Sequence, residues 1–212
     1  MSMLDNYKVL TITHHNLNVD ELGNFILKYD NEDHLRDRLE HLKHVLHLDE
    51  IIYLNTCNRV SFICYSLEDF DFEYIKNFFH EVNPDLPEEK LKKIGKFVDL
   101  YEGSKAVNHL FEVAASMDSL VVGEREIFRQ FRESFDRSKR FGFIGDNLRL
   151  LEKATVTAAK EVYANTRIGE KPLSIVSLAV QSLLNTGVSK DCLLYTSPSP
   201  RDLSTSRMPS SA

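Results

Sequence analysis

One cysteine of this chain stands among side chains that could change its chemistry, in the stretch Asn55-Thr56-Cys57-Asn58-Arg59. A fixed cation beside a thiol favours the thiolate, which is the nucleophilic form. Asn and Thr supply amide and hydroxyl groups that can hold a substrate or stabilise an oxyanion. Free cysteine is more often a small buried hydrophobe, so a packed thiol and a covalent nucleophile both stand on these five residues. Cys64 ends an apolar alternation and reads as structural. Histidine is the other candidate chemistry. His34, His41, His44 and His47 share one helical stretch, but no carboxylate or thiol completes a ligand set. They read as a solvated polar face, and no metal site is expected. His109 lies beside an apolar helix face, where a packed, a surface and a functional histidine all remain open.

These residues need elements to position them. Two β-leaning runs, Ile51–Leu54 and Val60–Ile63, flank the thiol and predict strand, short polar loop, strand. Tyr7–Thr13 predicts another strand, ending at His14-His15. Asn18 with Glu21 resembles a helix N-terminal cap, with a helix expected over Val19–Lys28. A second helix over Glu32–Leu46 carries the stripe Leu35, Leu39, Leu42 and Leu46. Asp71–Val82 predicts a helix, Glu88–Ile94 a short one opened by Pro87, and Lys96–Tyr101 a fourth strand. From Ser104 onward the pattern is helical, with Ala106, Val107, Leu110, Phe111 and Ala114 on one face. Ser119–Gly123 interrupts it. A helix from Glu124 then buries Ile127, Phe128, Phe131 and Phe135, and Gly142 and Gly145 end it. The helix over Asp146–Thr166 spaces Leu148, Leu151, Ala154, Thr155 and Ala158 on its inner face. The expected class is α+β, a small mixed or antiparallel sheet with packed helices followed by a helical segment. The pattern does not give the order in which the strands pair.

Composition excludes several functions. A 212-residue chain with 42% apolar residues can bury a core in one large domain or two small ones. Its net charge of −6 argues against a general nucleic-acid coat. Between Arg125 and Lys153, however, eight Lys/Arg stand against five Asp/Glu, which reads as a solvated face or as one that could meet nucleic-acid phosphates. Three cysteines without a CxxC pair offer neither a disulfide framework nor a zinc site. With no signal peptide and no membrane-length apolar run, a cytoplasmic location is expected.

Thr56-Cys57-Asn58-Arg59 behind a strand resembles the nucleophile motif of the glutamyl-tRNA reductases, which open the five-carbon route to tetrapyrroles. Further blocks follow in the family's order, over about residues 7 to 191. Gly103-Ser104-Lys105-Ala106-Val107-Asn108-His109-Leu110-Phe111 resembles its glycine-to-His-Leu-Phe segment. Ala114-Ala115-Ser116-Met117-Asp118-Ser119-Leu120-Val121-Val122-Gly123-Glu124 resembles its Ala-Ser-x-Asp-Ser-x-x-x-Gly-Glu run. Asn165-Thr166-Arg167-Ile168-Gly169 with Ser174-Ile175-Val176-Ser177 resembles the link toward its nucleotide-binding domain. Ser61 departs from a common Glu, Phe128-Arg129 from Leu-Gly, and Glu126 from a frequent Gln.

The resemblance implies that Cys57 forms a thioester with the glutamyl group of glutamyl-tRNA. NADPH then reduces this thioester to glutamate-1-semialdehyde. It implies that Arg59 recognises the glutamate carboxylate and that His109 is critical for activity. Thr56, Asn58, Ser119, Glu124, Arg125, Glu126 and Gln130 fall at substrate-contacting positions. It also implies glutamyl-tRNA as a partner, glutamate-1-semialdehyde aminomutase as another, and a homodimer in the full-length family. Residues 1–166 would be the catalytic domain and 167–191 the start of an NADPH domain. No GxGxxG occurs in the chain, so no cofactor-binding residue is expected within it.

From Cys192 the chain changes character. Cys192-Leu193-Leu194-Tyr195-Thr196-Ser197 back-translates as TGT CTC TTA TAC ACA TCT, and Pro198–Asp202 fits CCG AGC CCA CGA GAC. Both match a transposon-derived sequencing-library adaptor, Leu203–Thr205 would cover a barcode, and Ser206–Ala212 fits the adaptor's far end. Residues 192–212 are therefore expected to be a non-native tail, with the chain cut off before its cofactor and dimerisation segments. Two further readings compete with the reductase: a non-catalytic tRNA-binding or regulatory module, and a cysteine hydrolase whose histidine an Asn or Asp would orient. A covalent glutamyl adduct on Cys57 separates the reductase from the binding module, which forms none.

Overall fold

Among the described residues, four strands with almost no exposed position build the centre of the first of two units. They are β1 (Tyr7–Thr13), β2 (Glu50–Asn55), β3 (Arg59–Tyr65) and β4 (Asp99–Glu102), and every neighbouring pair is antiparallel in the order β2-β3-β1-β4. The computed structural model describes residues 3–17, 19–119, 122–123, 125–169 and 175–185. Helices α1 (Val19–Leu22), α2 (Glu32–Val45), α3 (Phe72–Val82), α4 (Glu88–Leu91), α5 (Ser104–Ala114), α6 (Glu126–Arg140) and α7 (Asp146–Asn165) surround the sheet. The chain divides into two units after Pro172, and α8 (Ile175–Asn185) lies in the second. None of the described helices is long and apolar enough to cross a membrane.

Period-two alternation sorts each strand between two cores. Leu10, Ile12, Ile51, Tyr53, Val60, Phe62 and Cys64 pack with the leucine stripe of α2 and with Phe78 and Phe79 of α3. Tyr7, Val9, Ile52, Ile63 and Tyr65 pack against Leu110 of α5, Phe131 and Phe135 of α6, and Leu148 and Leu151 of α7. Helices therefore cover both faces, which explains why all seven positions of β1 and of β3 are buried. The α+β class is as expected, with the sheet purely antiparallel.

Several boundaries differ from the periodicity. The helix expected over Val19–Lys28 ends at Leu22 and tightens into a 3-10 turn, Gly23–Phe25. Asn24 Nδ2 donates to the Glu21 carbonyl at 2.9 Å and Phe25 turns fully into the core, so burial overrides a weak helical run. Asn18, the expected cap, lies outside the described residues. The helix begun at Pro87 stops at Leu91. Buried Ile94 opens another 3-10 turn, which delays β4 to Asp99. The described part of the next helix begins at Glu126, and Ile127 and Phe128 are only half-buried. In α7 the inner stripe is Leu148, Leu151, Thr155 and Ala159, while Ala154 is exposed and Ala158 half-buried. Alanine has too little surface to dictate which face turns inward.

One carboxylate joins the helical layer to the sheet. Glu50 of β2 is 4% exposed and faces the start of α7. It accepts from Gly145 N at 2.7 Å, Leu148 N at 2.9 Å, Asn147 N at 3.1 Å and Asn147 Nδ2 at 2.9 Å. The first N–H groups of a helix have no partner within it and carry partial positive charge, so a buried anion is satisfied there. Tyr7 of β1 adds a bond from its hydroxyl to the Asn147 carbonyl at 3.0 Å. A Cβ at position 145 would crowd the Glu50 carboxylate at 2.8 Å, which accounts for Gly145. Glu50→Ala is expected to lower unfolding free energy by about 2–3 kcal/mol, with a smaller loss for Glu50→Gln. Urea unfolding checks both.

Candidate active site

The β2–β3 ladder runs from Glu50↔Tyr65 to Asn55↔Val60, leaving Thr56-Cys57-Asn58 as the connection. Thr56 N donates to the Arg59 carbonyl at 2.8 Å, and Thr56 Oγ1 accepts from Asn58 N at 3.3 Å. His14 N donates to the Asn58 carbonyl at 3.1 Å, so the end of β1 also holds this loop. Cys57 is exposed at its tip. Cys64 is fully buried, and burial pushes its thiol far above the ordinary value. Of these two thiols only Cys57 can meet a substrate.

Alternation along β3 sends Val60, Phe62 and Cys64 toward α2 and α3, and Arg59, Ser61 and Ile63 toward the other face. That second face is polar at its Arg59 end. Thr11 and Ser61 share a hydrogen bond at 2.6 Å. Thr13 Oγ1 donates to Asn16 Oδ1 at 2.9 Å, and Asn16 Nδ2 donates to Asp99 Oδ2 at 3.1 Å. Arg59 is 5% exposed, and its Nη2 donates to both Asp118 Oδ2, at 2.7 Å, and the Asp118 carbonyl, at 2.6 Å.

His109 of α5 is equally buried and stacks on the Tyr101 ring of β4, with centroids 4.0 Å apart and planes 6° apart. Its Nδ1 lies 3.9 Å from Asp118 Oδ2. Burial, assisted by the Arg59 cation and opposed by Asp118, lowers the His109 pKa to about 4. The imidazole is therefore neutral at pH 7. Three buried polar atoms here have no hydrogen-bond partner among the described residues: Arg59 Nη1, His109 Nε2 and Ser119 Oγ. Such atoms are rare in folded proteins, and each asks for an explanation.

The remaining expected site residues are placed differently. Arg125 lies over the Tyr163 ring at 5.3 Å. Glu126 pairs with Arg129 and accepts from Gln130 Nε2 at 3.1 Å, and its bond to Arg129 holds its pKa below the ordinary value. These three residues of the α6 start thus bond to their neighbours along the helix and to Tyr163. Glu124 lies outside the described residues. Two residues of the cluster were missed as site candidates. Asp118 sits inside the Ala-Ser-x-Asp-Ser run, which was a usable signal, whereas Tyr101 had none beyond its strand.

The loop after α5 is held by backbone. Ser116 adopts φ 58°, and Gly123, at φ 90°, donates its N–H to the Ser116 carbonyl at 3.1 Å. A Cβ at position 123 would overlap the Ile168 carbonyl oxygen.

An exposed thiol between two strands stands two residues before a buried guanidinium, whose carboxylate partner also lies close to a buried histidine, all within an α+β domain. The chain belongs to the glutamyl-tRNA reductase N-terminal domain family: the family model, described as "Glutamyl-tRNAGlu reductase, N-terminal domain", matches residues 10–166. It is 32% identical over 178 residues to the glutamyl-tRNA reductase of Sulfurisphaera tokodaii, covering 84% of this chain and 40% of that protein. It is 30% identical over 175 residues to that of Campylobacter hominis, covering 82% of this chain and 40% of that one. The solved structure of the Methanopyrus kandleri glutamyl-tRNA reductase superposes with a TM-score of 0.64 at 26% identity. That match covers 85% of this chain and 40% of that one. The chain thus spans about two fifths of the length of these relatives.

Two outcomes follow from this geometry. The unfolded chain takes up a proton on His109 near pH 6.5, whereas the folded protein resists it until about 4. Stability present above pH 6.5 is therefore lost as pH falls toward 4, and His109→Gln should remove about 1–2 kcal/mol of the difference between neutral and mildly acidic pH, read by urea unfolding. Gly123→Ala should destabilise by at least about 1–2 kcal/mol from backbone strain alone, read by thermal unfolding.

Proposed function

We propose that this domain accepts the glutamyl group of glutamyl-tRNA on Cys57, as the first half of a glutamyl-tRNA reductase reaction. The thiolate sulfur attacks the ester carbonyl carbon, the ester C–O bond breaks, and the tRNA ribose oxygen leaves with a proton. The product is an S-glutamyl thioester. An aminoacyl ester is already activated, so a soft sulfur nucleophile suffices without a peptidase triad. Arg59 is assigned to the side-chain carboxylate of the glutamyl group, where a guanidinium prong gives charge and direction. His109 is neutral, and its Nε2 can accept or pass a proton near the reacting ester. Thr56 and Asn58 shape the thiol loop, and Ser119 offers a hydroxyl beside Asp118. Glu124, Arg125, Glu126 and Gln130 are assigned to the rest of the aminoacyl end.

NADPH would supply hydride for the second half of the reaction. The described residues do not fit it: the sheet is antiparallel throughout, and no glycine-rich turn joins a strand to a helix as pyrophosphate binding requires. No reduction step is therefore assigned to residues of this domain. Glutamate-1-semialdehyde aminomutase as a partner, the homodimer and the cytoplasmic location belong to this proposal for the whole reductase.

The observation that carries the reading is that buried atoms of Arg59, His109 and Ser119 have no partner among the described residues, while Cys57, two positions before Arg59, is exposed. A non-catalytic tRNA-binding module would rest on the basic residues between Arg125 and Lys153, most of them on α6. Arg129 there is paired with Glu126 and Glu133, Arg140 with Glu32, and Arg137 bonds to the Tyr53 carbonyl.

Intact-mass analysis after mixing with glutamyl-tRNA tests the proposal. The chain should gain one glutamyl group, Cys57→Ser should gain none, and Cys64→Ser should still gain it. Arg59→Lys keeps charge but loses the planar fork, and should slow adduct formation about tenfold to a hundredfold. An adduct that persists in Cys57→Ser would remove the nucleophile assignment.

A further inference from the structure

The site holds one acidic residue with no place in the chemistry above. We propose that Asp118 is the positioning residue of this site, fixing the Arg59 fork and the His109 ring so that the site selects a carboxylate side chain. The selectivity part rests on the function proposed above; the positioning part does not.

A guanidinium this far from water needs a counter-charge and acceptors for its N–H groups. Asp118 supplies both to a single nitrogen. Nη2 carries two hydrogens, and the Asp118 carboxylate and carbonyl take one each, at 2.7 and 2.6 Å. The other prong, Nη1, is buried and has no partner among the described residues. A fork held by one prong has its second prong fixed in direction, which an incoming carboxylate can use without reordering the arginine.

The same Oδ2 lies 3.9 Å from His109 Nδ1, while Tyr101 fixes the plane of the ring. A carboxylate on that side favours the tautomer with its proton on Nδ1. This leaves a lone pair on Nε2, a second buried atom without a partner among the described residues.

Backbone holds Asp118 itself in place. Met117 N and Asp118 N donate to the Glu112 carbonyl at 2.8 and 3.4 Å, and Gly123 N closes the loop on Ser116. The carbonyl that Arg59 uses is therefore as fixed as the carboxylate. Among the other nearby acids, Asp99 is engaged by Asn16.

The test uses the full 212-residue chain with Asp118→Asn and Asp118→Ala. The Asp118 side chain is 32% exposed, and Asn is isosteric, so that variant keeps the fold even if Ala does not. Nitrogen-15 spectra report the Arg59 Nη groups and the His109 tautomer without any substrate. The wild type should show separate, slowly rotating Nη groups and one dominant tautomer. Both variants should show averaged Nη signals and a tautomer mixture.

The second readout is the ratio of adduct formation from glutamyl-tRNA to that from glutaminyl-tRNA. Lost positioning should lower this ratio about tenfold, the effect of one charged hydrogen bond, whereas a merely structural loss lowers both rates in proportion. Unchanged nitrogen spectra in the Asn variant would overturn the proposal. So would changed spectra with an unchanged ratio. If the wild type forms no adduct with either tRNA, the function proposed above fails, and the spectra alone still decide whether Asp118 positions these two groups.

Discussion

A guanidinium with 5% of its surface in water governs the architecture around the thiol loop. Arg59 is carried into the interior by alternation along β3, and a charge there is tolerable only with a partner of opposite sign and acceptors in line. Both come from Asp118, a residue 59 positions away in a loop after α5. That loop must be brought to the sheet and held there, which accounts for the left-handed turn at Ser116 and for Gly123 packed on the Ile168 carbonyl. His109 and Tyr101 are stacked alongside, so the ion pair orders a helix, a loop and two strands at once.

The same logic recurs at the far end of the sheet. Glu50 is a buried anion whose acceptors are filled by the start of α7. These two polar joints flank an apolar contact among Tyr7, Ile52, Ile63, Leu110 and Leu148 that has no direction of its own. Hydrophobic burial brings the layers together and is insensitive to sliding. The carboxylates choose one alignment of α5 and α7 on the strands, as hydrogen bonds with fixed geometry can.

For the chemistry, the main contrast is between accessible and inaccessible groups. Cys57 and Cys64 lie seven residues apart in sequence, yet one is exposed on a loop and the other is sealed between a sheet and two helices. His109 is kept neutral by burial and by the neighbouring arginine. Arg59 Nη1 has no partner among the described residues, although Asp118 holds the Nη2 of the same guanidinium.

Much of this was legible in the residues themselves. The strands β1, β2 and β3, the helices α2, α3, α5 and α7, the loop thiol and the core thiol all follow from local periodicity and turn chemistry, because those patterns repeat within a few residues. The motif Thr56-Cys57-Asn58-Arg59 and the Ala-Ser-x-Asp-Ser run identified the family for the same reason. The strand order β2-β3-β1-β4 was not legible, since pairing between β1 and β4 joins segments some 90 residues apart and leaves no mark on either. Nor was the fate of Arg59. Sequence placed it beside a thiol as a fixed cation, and only the tertiary structure gave it to Asp118. Charge pairing depends on distance in space, and neighbouring positions along a strand point to opposite faces. The early end of α1 and the late start of β4 were likewise decided by Phe25 and Ile94, each turned inward by a core that no local window contains.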